Sequence, residues 1–257
     1  MSDFDWGKGS YEPTAADLLP AARELVAAAN IQPGEHVVDV GAGTGNVALL
    51  AADLGARVTA VEPAARLREV IAETALDRDL TVVDGTAESI PLADASADVI
   101  LSNFAVIFTP DPAAAFTELA RVAKPTARIL LTTWQPGVLS QLVGVILAAL
   151  REITGRNVGP QFTWHDPNAL AGLLTPHGFE LSGKTLALDV VAPSAEAYWE
   201  TRIATHPLGI ATLPLLEQAG RLEEVRNRVL TTIEEDWTIP TGEVRLKAHY
   251  LLATAVR

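Results

Sequence analysis

The sequence predicts an α/β fold, a doubly wound and mostly parallel sheet, and three observations point to it. Short β-branched runs alternate with alanine-rich stretches of helical period as far as Trp134, an alternation that builds parallel strands covered by helices on both faces. A glycine cluster, Gly41-Ala42-Gly43-Thr44-Gly45, joins the first such run to the next helical stretch. Two long strands are then expected near the end of the sequence, Phe179 to Val191 and Glu243 to Val256, and as the last two they are placed to pair antiparallel at a sheet edge.

Apolar positions Leu18, Leu19, Ala22, Leu25, Val26 and Ala29 form a helical stripe from Thr14 to Ala29, opened by Thr14 or Asp17 and broken by Pro33-Gly34. Strands are expected at His36 to Val40, Arg57 to Val61, Leu80 to Val83, Asp98 to Ser102 and Ala127 to Thr133. Helices fall at about Asn46 to Leu54, Arg66 to Leu76 and Ala113 to Val122. After Trp134 the rhythm changes to one amphipathic helix, Val138 to Ile153, followed by a loop rich in Gly, Pro and Asn. Asp166 caps the next helix, with Pro167 at its first position, and Pro176 and Gly178 stop it. Between the two final strands, about Pro193 to Pro240 is too long for a turn and reads as a cap with helical pieces at Ala195 to Ala204 and Arg221 to Asp236.

Composition narrows the function. In 257 residues, 49% hydrophobic and 20% charged, there is ample material for a folded core. A net charge of -13 repels nucleic acid phosphates and anionic lipid, so neither is an expected partner. With no cysteine, disulfides, thiolate metal sites and a cysteine nucleophile are excluded. The start, MSDFDWGKGSYEP, does not read as a secretory signal, and the longest apolar stretch, near Leu142 to Leu150, falls short of the roughly 20 residues of a membrane span. A soluble, cytoplasmic protein is expected, with homodimer formation left open.

The most informative stretch is VVDVGAGTGNVALLAADLGARVTAVEP, Val37 to Pro63. A dinucleotide-binding G-x-G-x-x-G loop would place its third glycine at position 46, where this chain has Asn46; the third glycine is Gly45. Asp39 precedes the loop, and Glu62 ends the second strand, where a carboxylate is able to accept both hydroxyls of a ribose. This pattern resembles the first motif of class I S-adenosylmethionine-dependent methyltransferases. GTAESIPLADASADVILSNFAVIF, Gly85 to Phe108, and LARVAKPTARILLTTW, Leu119 to Trp134, are similar to the segments that follow in that family. The nearest resemblance is to the ubiquinone/menaquinone-methyltransferase-like group, good to about residue 134 and loose beyond it.

The resemblance implies a Rossmann-like seven-stranded sheet, mostly parallel with an antiparallel last strand. Residues 1–135 would be the cofactor-binding part with an N-terminal lid, 136–178 a helical insertion and helix, 179–192 and 241–257 the last two core strands, and 193–240 the helical cap. It further implies that S-adenosyl-L-methionine binds and leaves as S-adenosyl-L-homocysteine. Gly41, Gly43 and Gly45 would line its methionine part, with Asp39 close to the amino group through water. Glu62 would hold the ribose, Pro63 would pack near the adenine, and the Thr86-Ala87 turn would read the adenine edge by side-chain oxygen and backbone N–H. Ser102 and Asn103 would stand where the family offers a backbone carbonyl to the methionyl ammonium, Phe104 beside the methyl group, and Tyr11 as an N-terminal tyrosine closing over the cofactor. In two places the chain departs from the family: Thr86 stands where an Asp is usual, and Lys124-Pro125-Thr126-Ala127 replaces a Lys-Pro-Gly-Gly turn.

Ser102-Asn103-Phe104-Ala105 lacks the Asn/Asp-Pro-Pro-Tyr/Phe motif of amide and nucleobase nitrogen methylation. The expected reaction is therefore in-line methyl transfer to an oxygen or carbon atom of a small, fairly apolar acceptor, such as a quinone, polyketide or other specialised metabolite. The same scaffold also suits another sulfonium reaction (cyclisation, decarboxylation or hydroxylation) or a nucleoside-binding interaction module. Phe104, Trp134, Trp164, Tyr198 and Trp199 are the expected acceptor walls. His206 and His165 are the candidate bases; His36 and His249 lie in strands and His177 in a helix-ending turn, where structural roles are the default. Glu217, Glu223, Glu224, Glu234 and Glu235 read as a solvated helix face, and no His and carboxylate spacing predicts a metal site.

Overall fold

The structure, a computed structural model, describes residues 5–156 and 162–257. The loop expected after the long amphipathic helix lies largely outside the described residues. Helix α1 (Glu12–Ala29) precedes β1 (His36–Val40), α2 (Asn46–Asp53), β2 (Arg57–Val61), α3 (Ala65–Ala75), β3 (Leu80–Val83), β4 (Ala97–Asn103), α4 (Pro112–Val122) and β5 (Ala123–Trp134). Then come α5 (Val138–Thr154), α6 (Pro167–Leu174), β6 (Glu180–Ala192), α7 (Ala195–Tyr198), α8 (Pro207–Gln218), α9 (Leu222–Trp237) and β7 (Val244–Val256).

All seven strands join one sheet in the order β3-β2-β1-β4-β5-β7-β6. The first five run parallel, whereas β7 is antiparallel to both of its neighbours, β5 and β6. Every residue of β1 is buried, because helices cover both faces of a central parallel strand. Its side chains alternate between two cores: Val37 joins Leu25, Val58, Leu101, Leu130 and Tyr250 on one face, while Val38 and Val40 join Ile100, Phe116, Ile129 and Phe179 on the other. β1 pairs with β2 on one side and β4 on the other, so chain order reverses there and a crevice opens beyond the carboxyl ends of these strands.

Three differences from the sequence reading have physical causes. α1 begins at Glu12 behind Tyr11, with a proline in its first turn, and neither Thr14 nor Asp17 caps it. Asp17 instead receives the Arg202 guanidinium from the cap. A helix the pattern hid, α8, runs through Pro207, Gly209 and Pro214, residues that read locally as breakers. The expected helix from Ala195 to Ala204 is α7 continued as a π-helix over Trp199–Ala204. No helix among the described residues is long and apolar enough to cross a membrane.

Candidate active site

The loop from β1 to α2 holds its shape by backbone conformation that only glycine adopts freely. Gly41 has φ +70° and Gly43 φ +60°. A Cβ on Gly41 would lie 2.2 Å from the Ala105 Cβ, and one on Gly43 would lie 2.9 Å from the Tyr11 ring. Most of the loop's amides are already engaged. Gly41 and Ala42 donate to the Val61 carbonyl at 2.8 and 3.1 Å, Gly45 to Ala42, and Gly43 to Glu62 Oε2 at 2.8 Å. A phosphate cradle needs several free N–H groups converging on the ligand, and this loop uses them to brace itself.

Two buried carboxylates do that bracing. Asp39 Oδ2 accepts from the Ala48 N–H at 3.0 Å, capping α2 from the neighbouring strand because the N-cap residue, Gly45, has no side chain. Glu62 Oε1 accepts from the Ala64 N–H at 2.9 Å, so its two oxygens tie the start of α3 to the glycine loop. Burial raises both pKa values, Asp39 to about 7, against the opposing pull of the amides each accepts from. Among the described residues neither side chain forms an ion pair.

Tyr11 lies over Gly43. Its phenol is held protonated by burial and then by the charges of Glu62 and Asp39. Tyr11, Asp39, Gly41, Ala42, Thr44 and Asn103 line a small cleft, with Leu18, Asn46 and Val47 on its helical side. Glu62 stands behind this wall, 3% exposed. Each of its oxygens keeps one lone pair for a hydroxyl that reaches it.

Comparison with known proteins bears on the family and the fold. A model of the methyltransferase domain matches residues 38–131. An uncharacterized protein of Mycobacterium tuberculosis is 33% identical over 173 residues, covering 66% of this chain and 63% of the relative. Another, from Mycobacterium bovis, is 30% identical over 189 residues, 72% of this chain and 69% of the relative. Malonyl-[acyl-carrier protein] O-methyltransferase of Serratia marcescens is 33% identical over 141 residues, 55% of this chain and 54% of the relative. The chain thus spans between half and about two thirds of the length of these relatives.

Among solved structures, the YcgJ protein of Bacillus subtilis superposes with a TM-score of 0.63 at 17% identity, covering 93% of this chain and 98% of that one. Geranyl diphosphate methyltransferase in complex with SAM gives 0.55 at 19% identity, 93% and 85%. The chain belongs to the class I S-adenosylmethionine-dependent methyltransferase family. The likeness reaches methyltransferases of several kinds and does not single out the ubiquinone/menaquinone-like group.

Set in this methyltransferase fold, the remaining candidate residues separate into those near the cleft and those away from it. Asn103 reaches it; Ser102 does not, because its hydroxyl donates to the Val40 carbonyl and accepts from the Val106 N–H. Phe104, buried at φ +57°, stacks on Trp134 with ring centres 3.9 Å apart and meets Tyr250 edge-on at 5.5 Å. Pro63 and Thr86 are exposed and Ala87 is half-buried; the Thr86 N–H is already donated to the Ser89 carbonyl, so it is not free to read an adenine.

Trp164 is a core residue of the opposite sheet face, beside Phe116 and Phe162, and does not wall the cleft. Tyr198 and Trp199 are buried where the cap meets α1 and the sheet, with Arg226 over the Trp199 ring, so they fasten the cap. His165 is exposed and away from the cleft. His206 sits beside Trp6 and Tyr11, but its Nδ1 accepts from the Leu208 N–H at 3.2 Å and so caps α8. Burial lowers its pKa to about 4. The neutral ring then carries its proton on Nε2, which makes it a donor and not a base.

Two residues were missed. Phe108, whose ring lies 4.6 Å from that of Trp6, completes an aromatic group with Tyr11 and His206. Thr132, fully buried on β5, is bonded to both Phe104 and Asn103. A β-branched residue in a strand reads as ordinary core, so no local signal marks Thr132. Among the described residues no group of three or more His, Asp or Glu side chains is placed to hold a metal ion.

Proposed function

We propose that this protein moves a methyl group from S-adenosylmethionine to an oxygen or carbon atom of a small, fairly apolar acceptor by in-line displacement. The observation that carries the reading is the pair of buried carboxylates, Asp39 and Glu62, set against a tight glycine loop, neither of them in an ion pair among the described residues and only Glu62 eased by a nearby guanidinium, that of Arg68. Burying such charge is costly unless a partner arrives. A ligand that brings its own positive charge and ribose hydroxyls to this place supplies that partner. The residues present fit the cofactor: Asp39, Gly41 and Asn103 line the cleft, and Glu62, behind its wall, has lone pairs left for a ribose.

Bound there, the cofactor supplies an electrophilic methyl group on a cationic sulfur. The chain's own part is to bind, orient and exclude water. Tyr11 closes over Gly43, and the half-buried Trp134 ring, stacked on the buried Phe104 with Tyr250 edge-on behind it, is the apolar surface offered to an acceptor. Neither candidate histidine is set to take a proton, so the reading favours an acceptor that arrives already nucleophilic, such as a phenolate or an enolate carbon. The O-methyltransferase relative supports an oxygen acceptor, and the SAM-bound structural neighbour supports the cofactor.

The test has two parts. Calorimetric titration with S-adenosylhomocysteine should show one site in the wild type and a loss of about tenfold or more in Glu62→Ala, as expected for removing charge-assisted hydrogen bonds. Incubation with methyl-labelled cofactor and a metabolite pool, followed by mass spectrometry, should show a product heavier by one labelled methyl. Equal affinity in the Glu62 variant would remove the ribose assignment, and an unlabelled pool would favour the other sulfonium reactions.

A further inference from the structure

We propose that Thr132 is a positioning residue of this site: it turns the Asn103 amide so that its nitrogen donates into the cleft, to the carboxylate of an amino-acid head group. The proposal rests on the cofactor reading above and goes further, by assigning a recognition pair for one end of that ligand.

Asn103 and Thr132 are partners in register across β4 and β5. The Thr132 hydroxyl does two jobs at once, accepting from the Phe104 N–H at 3.0 Å and giving its proton to Asn103 Oδ1 at 2.9 Å. Turning the amide over would set its NH₂ against Thr132 and leave the buried hydroxyl proton without an acceptor, which costs about 1–3 kcal/mol. The oxygen is therefore tied inward and the nitrogen faces away from Thr132, on a half-buried residue that lines the cleft with Asp39 and Gly41. Among the described residues no partner for that nitrogen is present.

The same hydroxyl holds the Phe104 backbone at φ +57°, a conformation unfavourable for a bulky side chain. Because Phe104 follows Asn103 directly, fixing its backbone also fixes where the amide begins. Asp39 on the first strand and the Asn103 amide on the fourth then offer one acceptor and one donor to the same small space. An ammonium and a carboxylate on a single carbon present the complementary pair, and S-adenosylhomocysteine carries both.

Calorimetric titration of the full chain with S-adenosylhomocysteine tests this, using Thr132→Val, Thr132→Ser, Asn103→Ala and the Thr132→Val/Asn103→Ala double variant. Thr132→Val and Asn103→Ala should each bind about tenfold more weakly, and Thr132→Ser should stay within about threefold of wild type. The double variant should be no weaker than Asn103→Ala alone, since both substitutions remove one interaction. Losses that add in the double variant would mean Thr132 acts through the fold, which overturns the proposal, as would wild-type affinity in Asn103→Ala. Should Thr132→Val fail to fold, Asn103→Ala and Thr132→Ser still decide, the first by losing affinity and the second by keeping it. A wild type that binds no S-adenosylhomocysteine removes the cofactor reading and this one with it, whereas a binding wild type with indifferent variants removes this one alone.

Discussion

Around the glycine loop, the buried polar groups are held by backbone amides and carbonyls; in the cap, the buried groups are aliphatic and aromatic and the charges stand at the rim. Asp39, Glu62, Ser102 and Thr132 are all buried, and each is bonded to a backbone group in a fixed direction. In the cap, Tyr198, Trp199, Ile203, Val229 and Ile233 pack together, while Arg226–Glu196 and Arg221–Glu224 are partly exposed ion pairs outside them. Hydrogen bonds are directional, and a buried donor without its acceptor is expensive; hydrophobic burial has no direction and tolerates repacking. One region is thus held to a single shape by directional bonds, and the other is free to repack.

The strongest way to break this comparison is to add one carbon to the loop. Gly41→Ala forces a Cβ to within 2.2 Å of the Ala105 Cβ and holds it at φ +70°. Strain and overpacking together should lower stability by about 2–4 kcal/mol in urea unfolding and abolish S-adenosylhomocysteine binding. Retained affinity would show that the loop repacks as the cap is expected to.

Asp39→Asn should sharpen it next, through pH. The folded-state pKa of Asp39 is raised from 3.8 to about 7, so its charged form is disfavoured by folding. Below about pH 4 the group is protonated in both states and has no effect on stability; the wild type loses stability from this group as pH rises to about 7, then stays level. The rise sets a ceiling of about 4 kcal/mol, and a gain of about 1–3 kcal/mol for the Asn variant at pH 8 is expected. Thermal unfolding followed across pH 4 to 8 checks this: the two curves should separate through that window, and parallel curves would mean that Asp39 carries no buried charge.

The corresponding strike on the cap is Gly209→Ala, whose new Cβ would meet the Ile203 carbonyl at 1.8 Å where α8 leaves the π-helix. The atom it meets is backbone, so the better helix propensity of alanine offsets only about 1 kcal/mol of the clash, and about 2–4 kcal/mol of stability should be lost. Affinity for S-adenosylhomocysteine should stay within about threefold, because none of the cleft's walls comes from α8. A parallel fall in affinity would erase the distinction between the two regions.

The same division explains what could be read from the sequence. β1, β2 and β3 have the bounds that their β-branched runs predicted, and the glycine spacing with Asp39 and Glu62 located the loop, since strand period and turn chemistry are local properties. α8 was hidden because its prolines are tolerated by tertiary packing that no local pattern carries. Trp164 and His206 were assigned by residue type, yet their roles follow from which sheet face and which helix end they occupy. Thr132 meets Asn103 across 29 positions of chain, a contact that only the folded register creates.

The smallest effect is expected at an exposed polar position, Thr86. Thr86 lies in a turn closed by its reciprocal backbone bonds with Ser89, and its side chain is exposed, so Thr86→Ala should change stability by less than about 0.5 kcal/mol. Thr86→Asp restores the carboxylate that the family usually carries there. If this turn meets an adenine amino group, the charge-assisted hydrogen bond should tighten S-adenosylhomocysteine binding by about threefold to tenfold. The neighbouring Asp84 is already paired with Arg68, which limits repulsion from the new charge. An affinity that does not move would place the adenine elsewhere and confine recognition on this side of the molecule to the buried carboxylates.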